Sequence, residues 1–583
     1  MLPRALAWIA TLAGLVLIVV LVTGGFRIEL GPVRLSAHGL VQPLVLMAVA
    51  AAALAWHGAA RARDALTGIA DAVTRGAPAA AVLSAAAVAG VGMVFGTYAA
   101  SSADPSAYVS HSALIDRGQL SIDEPLARAV EWHEATWTFT PLGYRPGQTP
   151  GTIVPGYPLG LPLVMAAARR LAGEVGPFLV GPVLAALAVL ATYALAARFA
   201  TPRAGAIAAV LLASSPIVHF QMVQPMSDVP AMAWWALAMA CASRRTLASA
   251  IGAGVLAAAA VLTRPNLAPL AAVVIAIAAG WPRTGESPVD LRRLIACVAG
   301  IAPGALLLVW LQRQLYGSPL QSGYGDISEF FALSNIWPNV GDYSRRILVG
   351  EGPALALAVA ALATLAAGRH RMAESTRILG RLAAATAAVL FVIYLPYGVF
   401  PDWSSFRFLM PALPVAFAAL GAVSSTAIDR LSAPARGPVL LAVLTLLVCV
   451  NVTQAARQSA YSLRDYEARY RTMGRHLAAS LPADAVIITA QESGSAHYYA
   501  GRPVLRWDLL AVDLETAIAR VRTLGRHPVL VVEDWEKPAL RERFPGPTAG
   551  LDWAPRAEAG QTTRVGVWDP ADRGTNVVTE QLP

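Results

Sequence analysis

Asp104 is the first charged residue after Arg75, and the uncharged stretch between them holds an apolar run, about 79–98, long enough to cross a bilayer. About twenty helical residues rise about 30 Å, the thickness of the hydrocarbon core. A carboxylate therefore stands where the chain leaves the lipid. Such a group acts either as a general base facing the lipid–water boundary or as the cap of a helix that Pro105 opens, in ADPSAYVS (103–110). Other polar residues return to what should be the same surface. Asp228 in QPMSDVPA (224–231) opens an apolar run and has the same two readings, site or cap. Arg264 in LTRPN (262–266) lies between two apolar runs with no carboxylate beside it in sequence. A cation held in lipid costs about 3 kcal/mol, so it needs a phosphate, a structural carboxylate or a headgroup. Arg407 belongs to FPDWSSFRFLMPALP (400–414), where Asp402 is its simplest partner and Trp403, Phe406 and Phe408 read as an interface belt. Tyr157 in PGYPLGLP (155–162) and Arg145 in GYRPG (143–147) occupy the loop that Asp104 begins.

These residues must be positioned by membrane helices. The chain is 56% hydrophobic and only 14% charged, whereas a soluble domain carries about 25% charged residues. The net charge of +9 comes from arginines in short loops, without the basic stripe and interleaved aromatics of a nucleic-acid surface, so no nucleic-acid partner is expected. Apolar segments fall at about 5–23, 38–56, 79–98, 178–198, 203–221, 228–243, 248–263, 265–280, 294–312, 352–367, 378–398, 410–428 and 438–456, giving about thirteen spans. Arginines fill every second loop: Arg4; Arg61, Arg63 and Arg75; Arg198 and Arg203; Arg244 and Arg245; Arg283, Arg292 and Arg293; Arg369, Arg371, Arg377 and Arg381; Arg430 and Arg436. The positive-inside rule makes those loops and the N-terminus cytoplasmic and everything after 457 extracytoplasmic. The segment 156–172 is expected as a helix lying at the outer interface, with Arg169 and Arg170 reaching headgroups.

The expected organisation is an extra N-terminal hairpin and cytoplasmic linker (1–78), a membrane domain (79–456) with a long external loop (99–177), and a small α/β extracytoplasmic domain (457–583). In that last domain Leu463, Tyr466, Tyr470, Met473, Leu477 and Leu481 keep helical spacing up to Pro482, while AVIITA (485–490) and PVLVVE (528–533) read as buried strands with a helix near 514–524 between them. Cys241, Cys297 and Cys449 lie in or beside apolar runs and read as small buried hydrophobes. Lys537 is the only lysine, so no P-loop exists, and neither HExxH nor DxD occurs. No cofactor and no metal-ligand set is read from the sequence. Gly252-x-Gly254-x-x-Ala257 matches a dinucleotide fingerprint by letter only, inside a span. The spans keep their charges at the ends, which fits a site at one surface better than a path through the membrane.

The order of these motifs resembles bacterial GT-C glycosyltransferases, the group related to protein mannosyltransferases and lipid A aminoarabinose transferases. The resemblance rests on Asp104 with Tyr108, the Tyr-Pro-x-Gly-x-Pro segment at 157–162, Ser227-Asp228, and Arg407-Phe408 before a Pro-rich helix start. It implies an inverting enzyme of the cytoplasmic membrane working on its outer face. The donor would be a polyprenyl-phosphate sugar and the acceptor an envelope glycan, lipid or protein, with membrane lipids around both. Asp104 would deprotonate the acceptor hydroxyl, and Tyr108, Arg145, Tyr157, Asp228, Arg264, Asp402 and Arg407 would line the donor and acceptor sites. Many relatives carry paired acids in the first loop, whereas Asp104 stands alone, and the two N-terminal spans look extra. From other classes, a secondary transporter or lipid flippase would need ionisable residues at mid-depth, and a non-catalytic scaffold would be indifferent to loss of one carboxylate.

Overall fold

Lipid offers backbone groups no partner, so the apolar segments must satisfy their own hydrogen bonds as helices. A computed structural model of the chain describes residues 1–30, 33–281, 289–367, 373–400 and 402–583; Arg283, Arg369 and Arg371 lie outside them. Each predicted apolar segment is helical. Seven helices are long and apolar enough to cross a membrane unaided, and the pair Pro202–Ala213 and Pro216–Met222, bent by 56°, makes an eighth. Four others, Val41–Trp56, Asp228–Ala242, Leu247–Thr263 and Pro353–Thr364, are apolar but shorter, and Leu270–Ala278 has nine residues. Length and composition alone thus pick out up to eight spans among the described residues, and the five shorter apolar helices match the rest of the expected segments in position but not in length. The chain is a multi-pass membrane protein.

The short helices depend on neighbours. Asp228–Ala242 buries most of its residues, including Trp235. Leu247–Thr263 packs on Leu291–Tyr316 at van der Waals distance: a Cβ on Gly254 would stand 2.1 Å from the Cys297 carbonyl oxygen, and one on Gly300 2.3 Å from that of Ile251. Gly254 is therefore a packing glycine of the kind that lets membrane helices touch. The 57–78 segment, expected as a linker, is itself the helix Ala59–Arg75; it lies on Ala433–Arg457, where a Cβ on Gly437 would meet the Ala70 nitrogen at 2.7 Å.

The long loop after Ala77–Phe95 contains the helices Asp104–Asp116 and Gly160–Ala172 and a three-stranded sheet of Ile122–Asp123, Tyr144–Pro146 and Thr152–Pro155. Gly160–Ala172 is the helix expected at the interface, and both of its arginines find partners within the protein. Arg169 pairs with Glu174 and donates to the Tyr498 hydroxyl at 3.0 Å, and Arg170 Nε donates to Asp116 at 2.7 Å. A carboxylate within reach binds a guanidinium by charge-assisted hydrogen bonds. The helix runs on through a 3-10 turn into Gly176–Phe199, and the combined stretch is one of the seven long apolar ones.

Leu463–Ser480 leads into the C-terminal domain, a six-stranded sheet in the spatial order Glu580–Gln581, Ala557–Ala559, Val565–Trp568, His527–Glu533, Ala485–Ile488, Val504–Leu505. The last three are parallel to one another, and helices Ser493–Ala500 and Leu514–Thr523 connect them. The domain sits directly on the first loop. Leu142 N–H donates to Ser493 Oγ at 3.1 Å, Arg506 N–H to the Thr138 carbonyl at 2.7 Å, and Ala100 N–H to the Tyr499 hydroxyl at 2.8 Å. The C-terminal domain and Asp104 therefore share one face of the bundle.

Candidate functional site

The chain turns hard between the Ala77–Phe95 helix and Asp104. Tyr98 and Ser102 both adopt left-handed backbone, with φ of 47° and 45°. Such a conformation costs a side-chain-bearing residue of order 1–3 kcal/mol and persists only where its surroundings enforce it. The turn delivers Asp104 as the first residue of Asp104–Asp116, behind Ala103 as N-cap, and no side-chain hydrogen bond caps the helix. The capping reading of Asp104 thus fails. Its carboxylate accepts from the Tyr157 hydroxyl at 2.5 Å on one oxygen and faces Arg407 Nη2 at 3.7 Å with the other. Both partners keep about a quarter of their side-chain surface, 28% for Asp104 and 27% for Arg407. Arg407 Nε is buried without a hydrogen-bond partner.

Asp228 does something different. It opens Asp228–Ala242 without a capping bond and forms an ion pair with Arg264, at 2% and 16% side-chain exposure. The partner that the sequence around Arg264 lacks is thus supplied from another helix, and Arg264 is not a free cation. The Phe408 ring lies under both guanidiniums, 5.6 Å from that of Arg264 and 5.5 Å from that of Arg407. Such stacking holds a planar cation while leaving its hydrogen-bonding edge open.

Tyrosines line the rest. Tyr108, one turn after Asp104, donates to Ser227 Oγ at 3.0 Å and packs its ring against that of Tyr157, tilted by 58° with centroids 5.3 Å apart. Tyr157 also meets Tyr324 from the second long loop at 5.5 Å. Burial, and then the negative charge of Asp104, hold the phenols of Tyr108 and Tyr157 well above their usual range, so both stay protonated and donate. Asn266, next but one to Arg264, donates to the Tyr394 hydroxyl at 2.7 Å.

The structure therefore brings Asp104, Tyr108, Tyr157, Asp228, Arg264 and Arg407 together and leaves two expected residues out. Asp402 does not pair with Arg407; it caps its own turn by accepting from Ser404 N–H at 3.3 Å. A carboxylate two residues before a free N–H finds that donor before it finds a distant guanidinium. Arg145 donates to the Ser322 carbonyl at 2.8 Å and stacks on Tyr316 at 5.3 Å, holding the second long loop against the first. Tyr324, Tyr394 and Asn266 went unread in the sequence. Tyr324 lies in a loop without periodicity, and Tyr394 ends an apolar run like any interface tyrosine. No group of three or more His, Cys, Asp or Glu side chains placed to hold a metal ion occurs among the described residues.

Chemically, the cluster offers an accessible carboxylate able to take a proton, a guanidinium with donors to spare for an anion, and phenols to orient both. No protein-family model matches the chain, and no curated protein matches it in sequence. Solved structures do resemble it. ArnT from Cupriavidus metallidurans in the apo state shares 13% identity over 83% of this chain and 97% of that one, with a TM-score of 0.51. The same protein bound to undecaprenyl phosphate shares 14% over 79% and 94%, with a TM-score of 0.50. The oligosaccharyltransferase of Archaeoglobus fulgidus aligns over 85% of this chain and 75% of that one at 12% identity and a TM-score of 0.49. ArnT is a GT-C glycosyltransferase, and this protein has the GT-C fold.

Proposed function

We propose that this protein is an inverting membrane glycosyltransferase that moves a sugar from a polyprenyl-phosphate donor to an acceptor hydroxyl. The observation that carries the reading is the Asp104–Arg407 pair. A partly exposed carboxylate faces a partly exposed guanidinium at 3.7 Å, at one end of the helical bundle, with the guanidinium over the Phe408 ring. The fold shared with ArnT, which has been solved with undecaprenyl phosphate, supports a lipid phosphate as the anion.

The acceptor oxygen attacks the anomeric carbon while Asp104 takes its proton. The bond from that carbon to the phosphate oxygen breaks, and its electron pair leaves with the polyprenyl phosphate. Arg407 holds the departing charge, and Asp104 later returns its proton to solvent. Tyr157 fixes one oxygen of the base, so that the other faces the reacting centre. Asp228 and Arg264 neutralise each other and position Phe408 and the Ser227–Tyr108 bond. The arginine alternation puts this face, with the C-terminal domain, outside the cytoplasm. Envelope glycans, lipids or proteins are the acceptors available there.

The test is turnover by the full chain in liposomes, with a panel of polyprenyl-phosphate-linked sugars and an envelope extract as acceptor. Acceptor-dependent release of free polyprenyl phosphate is expected. Movement of the intact lipid across the bilayer without release would overturn the reading in favour of a flippase.

A further inference from the structure

The C-terminal domain carries a cavity that the Asp104 cluster does not use. Three of its strands lie side by side and parallel, in the order Val504–Leu505, Ala485–Ile488, His527–Glu533. The chain passes from the middle strand to one neighbour and then crosses to the other. In an open α/β sheet that reversal opens a crevice beyond the carboxyl ends of the strands, between the two whose connections leave in opposite directions. Here those are Ala485–Ile488 and His527–Glu533. A cavity of about 260 Å³ lies at this place, lined by Gln491, Arg506, Trp507, Asp508, Trp535 and Glu536, with Leu142 of the first loop at its side. Each of the three parallel strands contributes residues from just beyond its carboxyl end.

The lining specifies a chemistry. Two indoles provide apolar faces, and Trp535 remains 59% exposed, an unusual surface cost for so large a ring. Arg506 is paired with Asp508, so the crevice has no spare cation for a phosphate. Glu536 is locked in place by the backbone N–H groups of Glu533 and Gln491, both at 3.0 Å. Fixed donors and acceptors beside aromatic faces, without net positive charge, suit a ligand whose rim is hydroxyl groups and whose faces are C–H. The volume lies below the ~300–1,000 Å³ of sites for drug-sized ligands and suits a single ring. The first loop borders the crevice through Leu142 alone. Elsewhere the loop and the domain pack closely: a Cβ on Gly494 would stand 2.3 Å from the hydroxyl oxygen of Ser106, two residues beyond Asp104.

We propose that this crevice binds one pyranose ring of a neutral saccharide. Its role as an acceptor subsite rests on the glycosyl-transfer reading; the binding itself does not. The experiment is saturation-transfer NMR on the full detergent-solubilised chain with a panel of methyl hexopyranosides and pentopyranosides at ~10 mM, which populates even a site of millimolar affinity. Transfer to ring protons of at least one glycoside is expected. It should weaken about five- to tenfold in Trp535→Ala and in Asp508→Asn, the loss of one good contact each, and remain in Arg407→Gln. Trp535 is exposed, so its loss leaves the domain core intact, and a thermal melt of each variant checks that. No transfer to any glycoside would overturn the proposal. So would transfer that survives both crevice variants, or transfer lost only in Arg407→Gln. Because no donor is turned over, a failed glycosyl-transfer assay leaves this result standing.

Discussion

Arg264 and Arg407 stack on the same phenylalanine, yet the structure assigns them opposite duties, and substituting each with glutamine should separate them. The Arg264–Asp228 pair is nearly sealed, at 16% and 2% exposure. Removing one partner leaves a buried charge uncompensated, which costs about 3–5 kcal/mol. The Arg407–Asp104 pair is different. At 3.7 Å its Coulomb energy is about 1 kcal/mol at the dielectric of water and about 4–5 kcal/mol at an effective dielectric of 20. With both groups about a quarter exposed, solvent screening and side-chain entropy reduce the net to about 1 kcal/mol or less. Arg264→Gln should therefore be less stable than Arg407→Gln by about 2–4 kcal/mol, or roughly 30- to 1,000-fold in the unfolding equilibrium. Adding Asp228→Asn to Arg264→Gln should recover much of the loss, because neither remaining group is then a lone charge. Denaturant unfolding in detergent reads the stability, and binding of a fluorescent polyprenyl-phosphate sugar reads the site. Arg407→Gln should keep its fold and lose donor affinity. An Arg264→Gln protein as stable as wild type, or an Arg407→Gln protein that unfolds instead, would refute the division of labour.

Burial pushes His111 down to about 3 and His497 down to about 4, so the fold holds both neutral. The unfolded chain protonates them near 6.5, so their contribution is intact above that pH and is lost as pH falls from about 6.5 toward 4. His497→Asn should flatten this acid limb in melts across pH; an unchanged slope would show that His497 does not titrate in this way. Glu124 and Glu536, pushed up to about 7 by burial, act in the opposite sense from about 4.5 to 7, which is why the variant is compared with wild type at each pH. The face carrying the C-terminal domain is checked by single cysteines: Ser462→Cys in intact cells should react with an impermeant reagent and Ser432→Cys should not, and the reverse pattern would invert the topology. Gly300→Ala should destabilise by about 1–3 kcal/mol, because its Cβ would meet backbone that cannot give easily, the Ile251 carbonyl oxygen at 2.3 Å and Gly254 Cα and Val255 N at 3.1 Å; a neutral result in the same unfolding assay would mean the two helices can part without cost.

The sequence revealed elements more readily than pairings. Lipid fixes the length and polarity of a span, and so the apolar runs could be placed to within a few residues. The strands at Ala485–Ile488 and His527–Glu533 and the helices Leu463–Ser480 and Leu514–Thr523 were legible because their periodicities are local. The partners of the charges were not. Arg264 meets Asp228 across 36 positions and Asp104 meets Tyr157 across 53, contacts that only the packed bundle creates. Asp402 misled because proximity in sequence favoured Arg407, whereas the local turn at Ser404 claims it first. The same holds for Arg169, whose neighbours Glu174 and Tyr498 come from the next turn and from the C-terminal domain. Short helices such as Asp228–Ala242 matched the expected apolar segments, but their length does not by itself make them spans.

The general-base role of Asp104 is tested most directly by Asp104→Asn. The carboxylate makes no capping bond, so the substitution removes no cap, and the amide oxygen can still accept from Tyr157. What the amide cannot do is take a proton from the acceptor hydroxyl. Single-turnover transfer from a polyprenyl-phosphate sugar should fall on the order of 10²–10⁴-fold, while donor binding through Arg407 persists and the melt stays close to wild type. Near wild-type transfer by a stable Asp104→Asn protein would contradict the account and leave Asp228 as the next carboxylate to examine.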